Sequence, residues 1–211
     1  YVLTDERRED FARDHTEDLF YLPEVVLRPA TPQDISAILR YAGEQQLCVT
    51  PRGAGTGLSG GALPVKGGIV LDTSRLNQIL SIDPVNFQAC VECGVINDVL
   101  QEAVRAKGLF YPPDPASKGS CFLGGNVAHA SGGPRALKYG TTRDYVLNLE
   151  VVLPGGEIIW TGADTLKYST GYNLTHLMIG SEGTLGIVTK IVLRLLPYPP
   201  YNQLILASFH L

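Results

Sequence analysis

The sequence predicts an α+β protein built from mixed sheets with flanking helices. Three observations lead there. Short apolar runs of strand length recur along the chain, at 25–27, 47–50, 69–71 and 88–95. Apolar residues at helical spacing are confined to Ile35, Ile38, Leu39 and Ala42 and, later, to Val99, Leu100, Ala103 and Val104. The run 187–195 alternates, with Ile187, Ile191, Leu193 and Leu195 on one face and Lys190 and Arg194 on the other, as in an amphipathic strand of an antiparallel or mixed sheet.

Taken in order, residues 4–19 are strongly charged with few apolar positions and read as a solvated N-terminal helix. Val25, Val26 and Leu27 form a short strand. Thr31, Pro32 and Asp34 then supply an N-cap, a first-turn proline and an acidic first turn for a helix that ends near Gly43. The strand 47–50 runs into Pro51, a glycine-rich stretch follows, and Ile69, Val70 and Leu71 make a third strand. Residues 88–95 begin a second set of strands, so the two strand-rich halves divide near Asp83 and Pro84. Asn97 or Asp98 caps the next helix, and Gly108 closes it. Tyr111, Pro112, Pro113, Asp114 and Pro115 cannot be helical and make a rigid extended segment. Residues 146–153 and 157–161 flank the turn at Pro154, Gly155 and Gly156 and read as a hairpin.

Composition excludes several classes of function. Lys plus Arg number 17 against 21 for Asp plus Glu, a net charge of −4, where a nucleic-acid partner would call for a basic face. No apolar run reaches the roughly 18 residues that a membrane span needs. Cys90 and Cys93 have metal-knuckle or redox spacing, but His15, His129, His176 and His210 stand singly and supply no second ligand pair, so no metal site is expected. The strand-like alternation of 88–95 also sends those two thiols to opposite faces. Four structural thiols with no visible signal peptide point to a reducing, cytoplasmic setting. Tyr1 rather than Met opens the chain, which suggests a trimmed piece.

The chemistry is carried by three glycine-rich clusters. The first is Pro51, Arg52, Gly53, Ala54, Gly55, Thr56, Gly57, Leu58 and Ser59, continuing through Gly60 and Gly61. It contains a formal GxGxxG, but a dinucleotide-binding βαβ unit opens a helix at that loop. Here only residues 61–68, with three glycines and Pro64, precede the next strand, and no crossover helix fits. A phosphate-binding P-loop fails as well, because glycine follows Lys66. What remains is a loop whose glycines permit positive φ and whose successive N–H groups form a concavity for an anion such as pyrophosphate, with Thr56 and Ser59 as hydroxyl donors and Arg52 as an adjacent cation. The second cluster runs from 113 to 133 and the third from 180 to 189. Three separate clusters suit a long ligand gripped at several points.

The phrases RGAGTGLSGGALP, PPDPAS, GGNVAHASGG, LKYGTTRDYVLNLEVVLPGGE and IGSEGTLGIVTKIVLRLLP closely resemble the FAD-binding domain of the vanillyl-alcohol oxidase/p-cresol methylhydroxylase superfamily. Within it, the nearest likeness is the branch of FAD-linked 2-hydroxy-acid oxidases and dehydrogenases. The resemblance implies an N-terminal helical extension over 1–22. It implies a two-subdomain FAD-binding fold over 23–200, split at about 83/84, and the start of a substrate-cap domain over 201–211, with a first cap strand at 204–209. It further implies that residues 51–59 hold the FAD pyrophosphate. Pro113, Asp114 and Ser117, with Gly124, Gly125 and Asn126, would lie along the ribityl chain and ring system. Glu182, Gly183, Gly186, Ile187 and Val188 would approach the adenosine end. Tyr139, Gly140 and residues 170–172 would add lining, and His129 would be a supporting polar residue.

The function implied is oxidation of a 2-hydroxy acid of the glycolate or D-lactate type by hydride transfer to FAD, with an electron acceptor or partner subunit beyond the small-molecule substrate. FAD would be held non-covalently, since flavin-tethering relatives carry a histidine near the position of Thr56. The substrate-gripping groups of such enzymes lie in the cap and in a downstream histidine motif, so no catalytic residue is named within these 211 residues. Two alternatives remain. Reduction of UDP-N-acetylenolpyruvoylglucosamine fits the PDPAS and Lys-Tyr-Gly segments poorly. A non-catalytic scaffold subunit of a larger oxidase complex, one that binds FAD or has lost it, is a different class, and the intact glycine loop argues against loss of FAD.

Overall fold

Two sheets of different character meet along one helix in the computed structural model, which describes residues 1–201, 203 and 205–209. The first sheet has four strands in the order β1 (Val2–Leu3), β2 (Val25–Leu27), β4 (Ile69–Asp72) and β3 (Val49–Arg52). β2 and β3 both run parallel to β4, with Val26 opposite Val70 and Arg52 opposite Asp72. β4, flanked on both sides and buried throughout, is accordingly apolar until Asp72. Helix α1 (Pro32–Glu44) makes the first crossover. The second, from Arg52 to Ile69, is the glycine loop itself and contains no helix.

α1 begins with a capping box. Thr31 Oγ1 accepts from the Asp34 N–H at 3.1 Å, while the Asp34 carboxylate accepts from the Ala30 and Thr31 N–H groups at 2.9 Å. Those bonds hold the Asp34 carboxyl below the usual carboxylate range, and the Thr31 cap contributes about 1 kcal/mol. The helix buries Ile35 and Leu39 against Leu71, Leu76, Cys93, Val152 and Ile187, residues drawn from both sheets. Its Ser36 hydroxyl donates to the carbonyl of Gly156, in a turn of the second sheet. α1 is therefore the hinge piece that fixes one sheet against the other.

The second sheet is antiparallel, in the order β5 (Ile79–Asp83), β6 (Gln88–Glu92), β10 (Ile187–Arg194), β8 (Val146–Val152) and β9 (Ile158–Trp160). Its inner face packs Ala89, Val91, Leu149, Val151, Ile191 and Leu193 under α2 (Asn97–Arg105) and α3 (Leu123–His129) in the main core. The expected alternation of β10 holds at Ile187, Ile191, Leu193 and Leu195, all buried. Shorter pieces complete the fold: β7 (Leu109–Phe110) pairs with β11 (Leu196–Pro197), and α4 (Ala136–Tyr139) and α5 (Leu174–Met178) flank the core.

Several expectations need correction. Residues 4–19 form only a short 3-10 stretch, Glu6–Phe11, rather than a long helix. Arg8 ties it to the carbonyls of Pro23 and Glu24, Phe11 packs beside Leu3, Val26 and Val70, and β1 pairs with β2, so this segment is an edge of the first sheet. β5 is paired with β6, so the boundary between the sheets falls before Ile79 and not at 83/84. α2 is preceded by Ile96 with no side-chain cap. The strand expected from Leu204 starts outside the described residues, and 205–209 carry no regular secondary structure.

Candidate functional site

The ends of β3, β4 and β6 and the beginning of β10 converge where the two sheets meet, and a cavity of about 440 Å³ opens there. The glycine loop forms one wall. Among the described residues, no carbonyl or side chain accepts a hydrogen bond from the backbone N–H groups of residues 53–59. All seven residues line the cavity, and none of their N–H groups has a protein partner. Gly55 is buried and Gly53, Ala54, Thr56 and Gly57 are half-buried, while Leu58 and Ser59 are exposed. Buried backbone donors are almost always paired, so the inner part of this run marks a place where an anion's oxygens fit. Gly55 sits at φ +69°, in the left-handed region that glycine tolerates. Gly57 leaves room for His129, whose Nε2 would lie 3.7 Å from a Cβ placed there.

The second wall is α3 and its approach. Leu123 and Gly124 donate to the carbonyls of Val95 and Cys93, which lays the start of α3 across the end of β6. A Cβ on Gly124 would come within 2.8 Å of the Cys93 Cβ, so the glycine is what lets these backbones touch. Gly125 has open space around it and faces the cavity. Asn126 is 3% exposed, and its Nδ2 donates to Asn97 Oδ1. Asn97 Nδ2 in turn donates to the Pro113 carbonyl.

The third wall is the 180–188 segment. Gly183, at φ +77°, packs so closely on Pro51 that a Cβ would fall 2.6 Å from the proline Cγ. At Gly186 a Cβ would meet Val151 Cγ1 at 2.6 Å. β6 pairs with β10 only from Lys190 onward, which leaves the Ile187 and Val188 flank without a strand neighbour on that side, and both residues line the cavity. Glu182 has φ +53° and Ala130, just after α3, has φ +50°. Two left-handed non-glycine residues beside one cavity store strain of the kind that collects at functional sites.

The fold thus gathers residues 51–59, Ser117, Gly124, Gly125, Asn126, Glu182, Gly183, Gly186, Ile187 and Val188 around a single cavity. Pro113 and Asp114 are not part of its lining: Pro113 reaches it only through Asn97, and Asp114 is ion-paired with Arg135 at 3.2 Å. Tyr139, Gly140 and residues 170–172 also lie away from it. Sequence reasoning did not assign Thr73, Cys93, Phe122 and Met178 to the site, and all four line the cavity.

Arg52 differs from its expected role as a cation beside the anion. Its Nη2 donates to the Arg13 carbonyl at 2.7 Å and its Nη1 to the Ala62 carbonyl at 3.4 Å, and its guanidinium lies over the Phe11 ring. Burial lowers its pKa, opposed by the charges of Asp14 and Asp72. Burial also pushes the Cys93 thiol up to about 12 and raises that of Cys121. Both thiols on the cavity wall are therefore held protonated. Among the described residues, no three His, Cys, Asp or Glu gather as metal ligands, and no helix is long and apolar enough to cross a membrane.

A family model described as an FAD binding domain matches residues 23–162. The glycolate oxidase subunit GlcD of Bacillus subtilis is 47% identical over 199 residues, covering 94% of this chain and 42% of that protein. D-lactate dehydrogenase of Anaerostipes hadrus is 46% identical over 202 residues, with the same coverage of 94% and 42%. D-2-hydroxyglutarate dehydrogenase of Xanthomonas citri is 42% identical over 200 residues. The chain spans about two fifths of the length of these relatives. Among solved structures, an alkyldihydroxyacetonephosphate synthase shares the fold, with a TM-score of 0.83 at 24% identity over 95% of this chain and 38% of that one.

Proposed function

Because this chain belongs to the family of FAD binding domains, we propose that it is the FAD-holding part of a flavin-dependent oxidoreductase that oxidises a 2-hydroxy acid of the glycolate or D-lactate type. The observation that carries this reading is the row of seven unpartnered N–H groups at 53–59 on the cavity wall. The residues present fit FAD. The loop N–H groups would donate to the pyrophosphate oxygens, with the Thr56 and Ser59 hydroxyls as further donors. Gly124 and Gly125 give a flat wall on which a ring system can lie, and the open Ile187 and Val188 flank offers main-chain groups to a base. His129, whose imidazole lies beside Gly57, would serve as a supporting polar residue.

When bound, FAD supplies the acceptor for the hydride lost from the α-carbon of the acid. The protein's own part is to fix the cofactor and exclude water from the inner wall, where Cys93, Cys121, Phe122 and Met178 are apolar. The names of the relatives, glycolate oxidase subunit and D-lactate and D-2-hydroxyglutarate dehydrogenases, support a small 2-hydroxy acid as substrate. An electron acceptor or partner subunit would take the electrons onward. Four free cysteines suit a reducing, cytoplasmic compartment.

The test is anaerobic reduction. The protein at its native length, loaded with FAD, is mixed with glycolate, D-lactate or D-2-hydroxyglutarate while the flavin absorbance is followed. Bleaching by at least one acid is expected. Retention of the oxidised spectrum with all three, in protein whose flavin dithionite still reduces, would contradict the proposed activity while leaving FAD binding intact.

A further inference from the structure

We propose that residues 11–16 form a strap that positions the cofactor loop, with Thr16 and Arg52 as positioning residues that act on the cofactor only through that loop. The proposal rests on the FAD reading and goes beyond it, because nothing in that reading gives the N-terminal segment a role. A loop that grips an anion with backbone N–H groups works best when those groups are already set. Otherwise the ordering cost of a glycine-rich chain is charged against binding. The donors at 53–59 make no bond that would set them from within.

The loop is instead held from outside. Thr73, just past β4, donates its N–H and hydroxyl to the Arg52 carbonyl at the loop's start, and three further ties reach the loop from one short upstream stretch. The His15 N–H donates to the Gly57 carbonyl at 3.1 Å. Thr16 Oγ1 accepts from the Gly60 N–H at 2.7 Å, across 44 residues of sequence. Arg52 Nη2 donates to the Arg13 carbonyl at 2.7 Å, across 39 residues. These contacts bracket the donor row, one at its start, one in the middle and one just past its end. Arg52 also donates to Ala62, so a single side chain joins the strap to both flanks of the loop.

The strap is itself anchored. Phe11 packs against the first sheet's core, the Tyr21 N–H donates to the Ala12 carbonyl, and Ala12 is fully buried. Asp14 Oδ1 accepts from the Thr16 N–H at 2.8 Å, a local turn that fixes the residue whose hydroxyl holds Gly60. Thr16 is the point where the device can be cut without touching the core. Its side chain makes one bond, to the loop, and its removal leaves both sheets as they are.

Thr16→Val keeps the shape of the side chain and removes the acceptor; Thr16→Ser keeps the acceptor; Thr4→Val, at an exposed threonine on the same segment, is the control. For each full-length protein, FAD affinity is measured by titrating the flavin-free form, hydrogen exchange is measured on the 53–61 peptide without FAD, and melting is recorded without FAD. Loss of one neutral hydrogen bond predicts FAD binding weakened roughly 5–10-fold in Thr16→Val. Exchange at 53–61 should be faster there, and the melting temperature should stay with that of Thr4→Val. Thr16→Ser should remain within about two-fold of wild type. Equal FAD affinity and equal exchange in Thr16→Val and wild type would overturn the strap. So would a Thr16→Val loss that Thr16→Ser fails to restore and that tracks a lower melting temperature, since that is a purely structural defect. Wild-type protein that takes up no FAD would overturn the FAD reading instead, and the exchange comparison without FAD would still decide the strap.

Discussion

The guanidinium of Arg52 occupies the space that a Cβ on Gly55 would need: its Cζ lies 2.7 Å from that position and Nη2 lies closer still. This glycine, third in the donor row, is thus required twice, by its φ of +69° and by the side chain packed against it. Gly55→Ala incurs about 1–2 kcal/mol for the left-handed backbone alone, and it must also displace an arginine that is 7% exposed and bonded to two carbonyls. Abolished FAD binding and a lowered urea midpoint are expected together. Wild-type affinity in the folded variant, measured by flavin titration, would show that the loop does not need this packing.

Gly125 gives the opposite case. It lines the cavity, has no heavy atom within 4 Å of its Cβ position, and sits inside α3. Alanine there gains helix propensity, up to about 1 kcal/mol, while placing a methyl in the space proposed for the flavin. Thermal stability of the flavin-free protein should hold or rise in Gly125→Ala as FAD affinity falls. A fall in stability with affinity unchanged would place the cofactor elsewhere.

The two thiols on the cavity wall bear on how the cofactor is held. A thioether bond needs a nucleophilic thiolate, and burial keeps Cys93 and Cys121 in the thiol form. Thr56, in the loop, is no nucleophile toward a flavin. Acid precipitation of the holoprotein should therefore release all yellow colour into the supernatant. Flavin that stays with the pellet would mean a covalent tether.

The same burial has a consequence at alkaline pH. The folded Cys93 thiol loses its proton only near 12, against an ordinary value of 9.0. Above the ordinary value the unfolded chain binds fewer protons than the folded one. This contribution is therefore fully present below about pH 9 and is lost as the pH rises toward 12. Its slope is about 1.4 kcal/mol per pH unit. Tyr111 and Tyr145 are raised by burial in the same direction, so the difference between proteins is the readout. Urea titrations at successive alkaline pH values should show a shallower decline in Cys93→Ala than in wild type. Parallel declines would mean that this thiol ionises freely in the folded state.

What the sequence made legible follows the strength of its local signals. The capping residues Thr31 and Asp34 located α1, and alternation located β10. The three glycine clusters identified the segments that line the cavity, because positive φ and close backbone approach demand that residue type. α3 was hidden because two glycines in seven residues contradict helix propensity; the helix exists through its contacts with the end of β6. β5 was hidden because Leu80 and Ser81 are both exposed and a bulge follows Ile79, so no two-residue period appears. Arg52 carried no signal of its orientation. Only the fold brings Arg13 and Ala62 to it, and a charge next to a phosphate-type loop reads locally as a ligand for the anion.

The central claim is that the N–H groups of residues 53–59 are the protein's grip on the FAD pyrophosphate. Hydrogen exchange on those amides tests it most directly, comparing the flavin-free protein with protein loaded to one FAD per chain. The account predicts fast exchange without FAD and strong protection with it, concentrated between Gly53 and Ser59. Stoichiometric FAD binding with unchanged exchange in that segment would contradict it.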